Sequence, residues 1–398
     1  MTPPVPDPPI PAVTETPSSP SIVIPEGPGE LTRRRADVDA KQAKVGRILA
    51  ETGCEGAILF VPPFVAWFTG GMNVRGLIAE TERPGIYTNG RQRWLLCSNI
   101  DTQRLFDEEL DGLGFQVKEW QYAGGRGQLL GDLVGPRKIA FDRPFFQNMP
   151  LIADRLRGEC RALAPFDRDR YAALGKGLVR ALEATARNFL KGDTEDEIAG
   201  HLAHRLLHHG TEIVSVSVTA DGRGRKFRRT GFTEAAVSSW CTIQATATRD
   251  GLFATASRTV WFGRPDDKLR SEYELATKLM AVYRSMTRAD AAVGPISEAA
   301  RRMLAGTEYE YEWRLSQPGY GSGWFPAEEL RRHGQDDPFV SGQPIVWQAR
   351  VGAAAVVDTV IATDLGSDAV TPPEAWPYKR VRVGDVNLDI PDVLVREG

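Results

Sequence analysis

The chain lacks any apolar run approaching the roughly 18 residues that a membrane-crossing helix requires, which excludes a helical membrane protein. Its 398 residues include four cysteines, Cys54, Cys97, Cys160 and Cys241, far apart and with no Cys-x-x-Cys pair. That spacing excludes a zinc ribbon and a disulfide-stapled scaffold, so the four read as reduced core thiols. Neither sign of charge dominates. With 49 Lys and Arg against 52 Asp and Glu, net charge -3 and pI ≈ 6.1, nothing draws the whole chain to nucleic acid or anionic lipid. Nucleophile-elbow, His-Glu-x-x-His, kinase and dinucleotide-binding signatures are also missing. The first 28 residues hold ten prolines and no basic stretch leading into an apolar one. They read as a disordered, partly polyproline-like tail over residues 1–30 rather than a secretory signal, and a cytoplasmic location is expected.

What is present is an ordinary globular composition, 42% hydrophobic and 25% charged, long enough for two domains. Arg33 to Ala50 spaces Val38, Val45, Ile48 and Leu49 as one helical face, stopped by Gly53. Strands are expected at Ala57–Val61, on either side of the Asn89-Gly90 turn, at Phe115–Trp120 and at Ile139–Phe141, with an amphipathic helix near Gln103–Leu113. These make a small α/β domain over residues 31–165.

Residues 166–398 have a different pattern. A helix is expected from Asp167 to Leu190, and a second one from Thr194, where Thr194 and Glu197 can form a capping box, to Gly210. Val214, Val216 and Val218 then alternate with Ser215, Ser217 and Thr219 as a half-buried strand. Ser238–Thr248 and Leu252–Phe262 flank Asp250-Gly251, a pair suited to the positive φ angles of a tight hairpin. The same order recurs: a helix from Asp267 to about Ala291, a short helix capped by Ser297 and ended by Gly306, then strands Pro344–Val351 and Ala354–Thr363 joined through Gly352.

Helix, capped helix, strand and hairpin, given twice behind an α/β domain, resembles the pita-bread fold of the creatinase, aminopeptidase P and prolidase superfamily. FVAWFTGG at 64–71, GDTEDEIAGHL at 192–202, DGLFATASRTVWFG at 250–263 and PGYGSGW at 318–324 carry the resemblance, which spans roughly residues 31–365. It implies an α/β N-terminal domain, an α+β pita-bread C-terminal domain and a homodimer. Metal-dependent members hold two divalent ions on two aspartates, a histidine and two glutamates. The matching positions here are Gln244, Thr255, Tyr320, Gln348 and Val357. Two further histidines of the resemblance, used for proton handling, match Arg229 and Ala327. Neutral amide, hydroxyl and isopropyl groups cannot balance two dications, so no metal and no cofactor is expected.

Two other features invite a functional reading. His201, His204 and His208, followed by His209, fall opposite the apolar stripe of their helix, which reads as a solvated face. Five cations lie within Arg223–Arg229, which the resemblance places at the groove mouth near Arg258 and Arg350. A ligand groove of Arg229, Gln244, Thr255, Arg258, Tyr320, Gln348 and Arg350 is therefore expected, favouring a peptide or small anion, with no membrane or nucleic acid partner. The leading expectation is a pseudoenzyme. The alternatives are a metal-independent creatinase-like amidinohydrolase or amide hydrolase using Tyr320, Glu328 or Asp358, and an active Xaa-Pro aminopeptidase or prolidase.

Overall fold

The computed structural model describes residues 28–397 except 75, 78, 316, 333 and 334. Most of the proline-rich tail expected over 1–30 lies outside the described residues; its last three, Pro28 to Glu30, already belong to the first helix, Pro28–Thr52. Among the described residues no helix is long and apolar enough to cross a membrane.

The first sheet has five strands, in the spatial order 116–120, 93–98, 85–88, 56–59 and 139–141. The outer pairs are parallel and the inner ones antiparallel. All the expected strands are present. The FVAWFTGG motif forms a helix, Pro62–Thr69, that the sequence reading left unassigned. Proline opens it where the unsatisfied N–H groups of a first turn make proline tolerable, and Gly70, at φ 64°, closes it.

The long helix runs Pro165–Asn188 and the capped one Glu195–His208, with the full Thr194–Glu197 capping box. Strands 212–220, 240–249 and 252–262 then form an antiparallel run. Asp250 and Gly251 both take positive φ at the hairpin tip, as expected. The recurring second unit is also present, with helices Asp267–Met286 and Val293–Leu304 and strands Pro344–Val351 and Ala354–Ala362.

Three details differ from expectation. The second long helix stops at Met286, where Thr287 turns to an extended conformation and its Oγ bonds to the Tyr283 carbonyl. The short helix starts at Val293, with Ala292 rather than Ser297 at its N-cap. Pro295 lies in its first turn, where a missing N–H costs nothing, so it does not delay the start. A bulge between Ile213 and Ser215 turns Val214 outward, breaking the alternation expected of that strand. C-terminal strands absent from the sequence reading complete the fold: 393–396 runs parallel to 252–262, and 378–383 pairs with 386–391.

The hairpin tip presses on the Pro62–Thr69 helix. A Cβ on Gly251 would lie 2.4 Å from Ala66 Cβ. Arg170 ties the tip down by pairing with Asp250 at 2.8 Å while donating to Gly70 O at 2.6 Å. Gly251→Ala combines a positive φ with this clash, so it is expected to destabilise the fold by about 1–3 kcal/mol, seen as a lower denaturant midpoint.

Candidate functional site

The period of two along each strand decides which side chains meet. In the 240–262 hairpin, Thr242 pairs with Thr259, Gln244 with Ser257 and Thr246 with Thr255, all on one face. Thr242 bonds to Thr259 and Thr246 to Thr255, each at 2.9 Å. The opposite face carries Ile243, Ala245, Ala254 and Ala256, packed in the core. One face of this sheet is thus polar yet uncharged.

A further four-stranded sheet, in the spatial order 367–369, 354–362, 344–351 and 319–321, lies against the sheet that holds strands 240–249 and 252–262. Thr359 Oγ donates to Thr255 O at 2.7 Å and accepts from Thr255 N at 2.9 Å, and Val357 N donates to Ser257 Oγ at 2.9 Å. Tyr320 is held opposite Val346 by the Gly319–Gly321 strand. Gly319 is required there, because a Cβ would lie 2.5 Å from the Trp347 ring and 2.6 Å from Val346 O. From this position Tyr320 Oη reaches Thr255 Oγ at 3.2 Å. Burial pushes its phenol above the ordinary range, although the threonine contacts oppose the shift, so it stays protonated at neutral pH.

A groove of about 940 Å³ opens over these strands. It collects Arg229, Gln244, Tyr320, Glu328, Gln348 and Arg350 from the sequence-derived set, together with Ala327. Thr255 does not line it: fully buried, it supports Tyr320 from below. Val357 is also fully buried, facing the seam.

Two more residues expected at the site, besides Thr255, lie outside the groove, and the alternation of the strands explains both. Arg258 is one residue past Ser257, so it points back, 1% exposed, to Glu183 on the Pro165–Asn188 helix at 3.2 Å. It also donates to Ser257 O and Thr371 O. Asp358 likewise follows Val357 and points away, with Arg258 and Arg284 at 3.9 and 3.8 Å and Thr371 Oγ donating to it at 2.9 Å. Burial raises its carboxyl pKa, and the two arginines pull it back. This buried network leaves Asp358 no path to a ligand in the groove.

The basic run is mostly spent on structure. Arg223 pairs with the buried Glu195 at 2.7 Å, Arg225 with Glu272 at 2.8 Å and Arg228 with Glu312 at 2.7 Å. Arg229 is exposed at the groove, with no hydrogen bond or ion pair among the described residues. Glu328, the remaining carboxylate of the candidate set, pairs with Arg157 at 2.8 Å. On the floor, Arg350 makes a single side-chain hydrogen bond among the described residues, from Nη2 to Gln244 Oε1 at 2.8 Å. Burial lowers its pKa and the nearby Arg228 adds to that. A half-buried guanidinium bonded to a neutral amide, with no ion pair among the described residues, is an anion-seeking group.

The fold family implies divalent metal, and the residues here do not fit it. Gln244, Thr255, Tyr320, Gln348 and Val357 offer neither carboxylate nor imidazole, and the guanidinium bonded to Gln244 adds positive charge. Among the described residues no three His, Cys, Asp or Glu side chains are grouped to hold an ion. His201, His204, His208 and His209 are exposed, as expected, with the His204 and His208 rings 6.0 Å apart. All four cysteines are free and buried. Sequence reasoning missed Trp313, Arg314, Leu315 and Gln317, which wall the groove from a loop distant in sequence. Thr246 could have been found from Gln244 by the period of two.

The two arginines should separate cleanly in unfolding experiments. Arg258→Met removes the buried cation shared by Glu183 and Asp358, and is expected to cost about 3–5 kcal/mol. Arg229→Ala should stay within about 0.5 kcal/mol of the parent, as for an exposed unpartnered side chain.

Residues 170–346, just under half of the chain, match the model of metallopeptidase family M24. No curated protein sequence matches. Among solved structures, the prolidase of Pyrococcus horikoshii OT3 superposes with a TM-score of 0.70 at 16% identity, covering 84% of this chain and 99% of that one. The X-Pro aminopeptidase of Thermotoga maritima MSB8 gives 0.70 at 15% identity, covering 89% and 99%. Dipeptidase PepE of Mycobacterium ulcerans gives 0.68 at 17%, covering 84% and 96%. At such identities the likeness is one of fold. The chain thus has the pita-bread fold of these prolidase and aminopeptidase structures, with a region over residues 170–346 that matches metallopeptidase family M24.

Proposed function

We propose that this protein is a non-metallopeptidase member of its superfamily, a pseudoenzyme that holds a small anion or the terminal carboxylate of a peptide in the groove. The observation that carries this reading is Arg350. It stands half-buried on the floor among Gln244, Gln348 and Tyr320, and makes no ion pair among the described residues. In an environment of lowered dielectric, a charged hydrogen bond to an incoming carboxylate or phosphate gains more than it would in bulk water. Arg229 at the mouth adds a second cation that is free to turn toward the ligand.

Catalysis without metal needs a proton carrier in the groove, and the three candidates supply it poorly. Tyr320 holds its proton more tightly than a free phenol, Glu328 is engaged by Arg157, and Asp358 is sealed behind the sheet. Residues up to 165 are taken as belonging to a first domain, which the helix Pro28–Thr52 opens, and 166–398 as the second. The assembly is taken as a cytoplasmic homodimer.

A melting-point screen against pooled carboxylate and phosphate metabolites tests the reading. An anionic member is expected to raise the melting temperature of the parent, by an amount matching about 2.7 kcal/mol at one hundred times its Kd, and to leave Arg350→Gln unmoved. The ligand should be recovered unchanged. Cleavage of an Xaa-Pro dipeptide with manganese, cobalt or zinc supplied, or conversion of the bound anion, would overturn it.

A further inference from the structure

A second cavity, of about 400 Å³, opens off the groove. Its size lies within the roughly 300–1,000 Å³ of small-molecule sites. The two cavities share a wall made by Trp313, Gln317, Glu329, Gln348 and Arg350. Beyond that wall the surface turns apolar, with Leu279 and Tyr283 from one helix, Val293, Ala300 and Leu304 from the next, and Leu330. Each of these six side chains is buried in the absence of a ligand.

We infer that the groove's ligand is a carboxylate carrying a bulky apolar group, its acid on Arg350 and its apolar body in this side cavity. The inference rests on the anion-binding reading and adds the class of molecule. Three observations support it. Arg350 lies on the boundary, so one guanidinium serves both spaces. Its Nη2 gives one N–H to Gln244, and no described residue bonds to Nε or Nη1, so donors remain for a carboxylate. On the boundary with the side cavity Arg350 is the one cation without an ion pair among the described residues, which suits one negative charge there better than the near-double charge of phosphate. The other charges on the walls are largely accounted for. Glu312 is neutralised by Arg228 and by the Gly352 N–H at 3.0 Å, and Arg301 lies over the Trp313 ring at 3.9 Å. Glu329 is the carboxylate left without a partner among the described residues, and it is exposed to water. Apolar walls next to one oriented cation discriminate between ligands by shape and charge together, since an acid without the apolar body leaves the cavity unfilled and an apolar amide leaves Arg350 unpaired.

The test is titration calorimetry on the full chain with 3-phenylpropionate, acetate, inorganic phosphate and the neutral 3-phenylpropanamide. 3-Phenylpropionate is expected to bind at least tenfold more tightly than the other three. Arg350→Gln and Ala300→Trp, which fills only the side cavity, should each weaken it by tenfold or more. Should Ala300→Trp fail to fold by circular dichroism, Ser297→Phe on the same helix serves in its place. Acetate or phosphate binding as well as 3-phenylpropionate, with no effect of filling the side cavity, overturns this inference and leaves the anion reading standing. Equal binding of acid and amide, unaffected by Arg350→Gln, overturns both, as does the absence of any binding at millimolar concentration.

Discussion

The groove depends on the seam where strand 252–262 meets strand 354–362. Thr359 makes two hydrogen bonds with the Thr255 backbone, and Ser257 accepts from Val357, so hydroxyl side chains stitch together two sheets that share no backbone ladder. All four residues are buried, where each such bond is costly to leave unmade. The seam fixes the relative angle of the sheets and brings Gln244 of one within 2.8 Å of Arg350 of the other.

The seam also sorts charge. One residue beyond each stitch, Arg258 and Asp358 point to the back, where Glu183 and Arg284 complete a buried four-member network. Such networks add little net stability when intact but are expensive to break, so they enforce this one arrangement of the strands. The front is left with hydroxyls, amides and Arg350. The cohesion of this pita-bread fold lies behind and between the sheets, not in the groove they form.

Much of this was legible in the sequence. The Asp-Gly hairpin, the Thr194 capping box and the repeated order of elements each rest on local chemistry, and each is present in the structure. Gln244, Tyr320, Gln348 and Arg350 line one groove because strand alternation and one glycine-flanked strand carry them to a common face. What was not legible depended on distant contacts. Arg258 looked like a groove residue until its pairing register placed it beside Glu183, and the run Arg223–Arg229 looked like an anion grip until Glu195, Glu272 and Glu312 claimed three of its arginines. The side cavity has no sequence signature, since its walls come from two helices, a loop and a strand edge.

Equilibrium binding of manganese or cobalt to the purified chain, followed by metal analysis, tests most directly the proposal that this groove takes an anion rather than metal ions. The expected result is no site tighter than about millimolar in the groove, since neutral ligands beside a guanidinium cannot replace the hydration of a hard dication. Two ions bound per chain at micromolar concentration, lost on Gln244→Ala, would contradict the account.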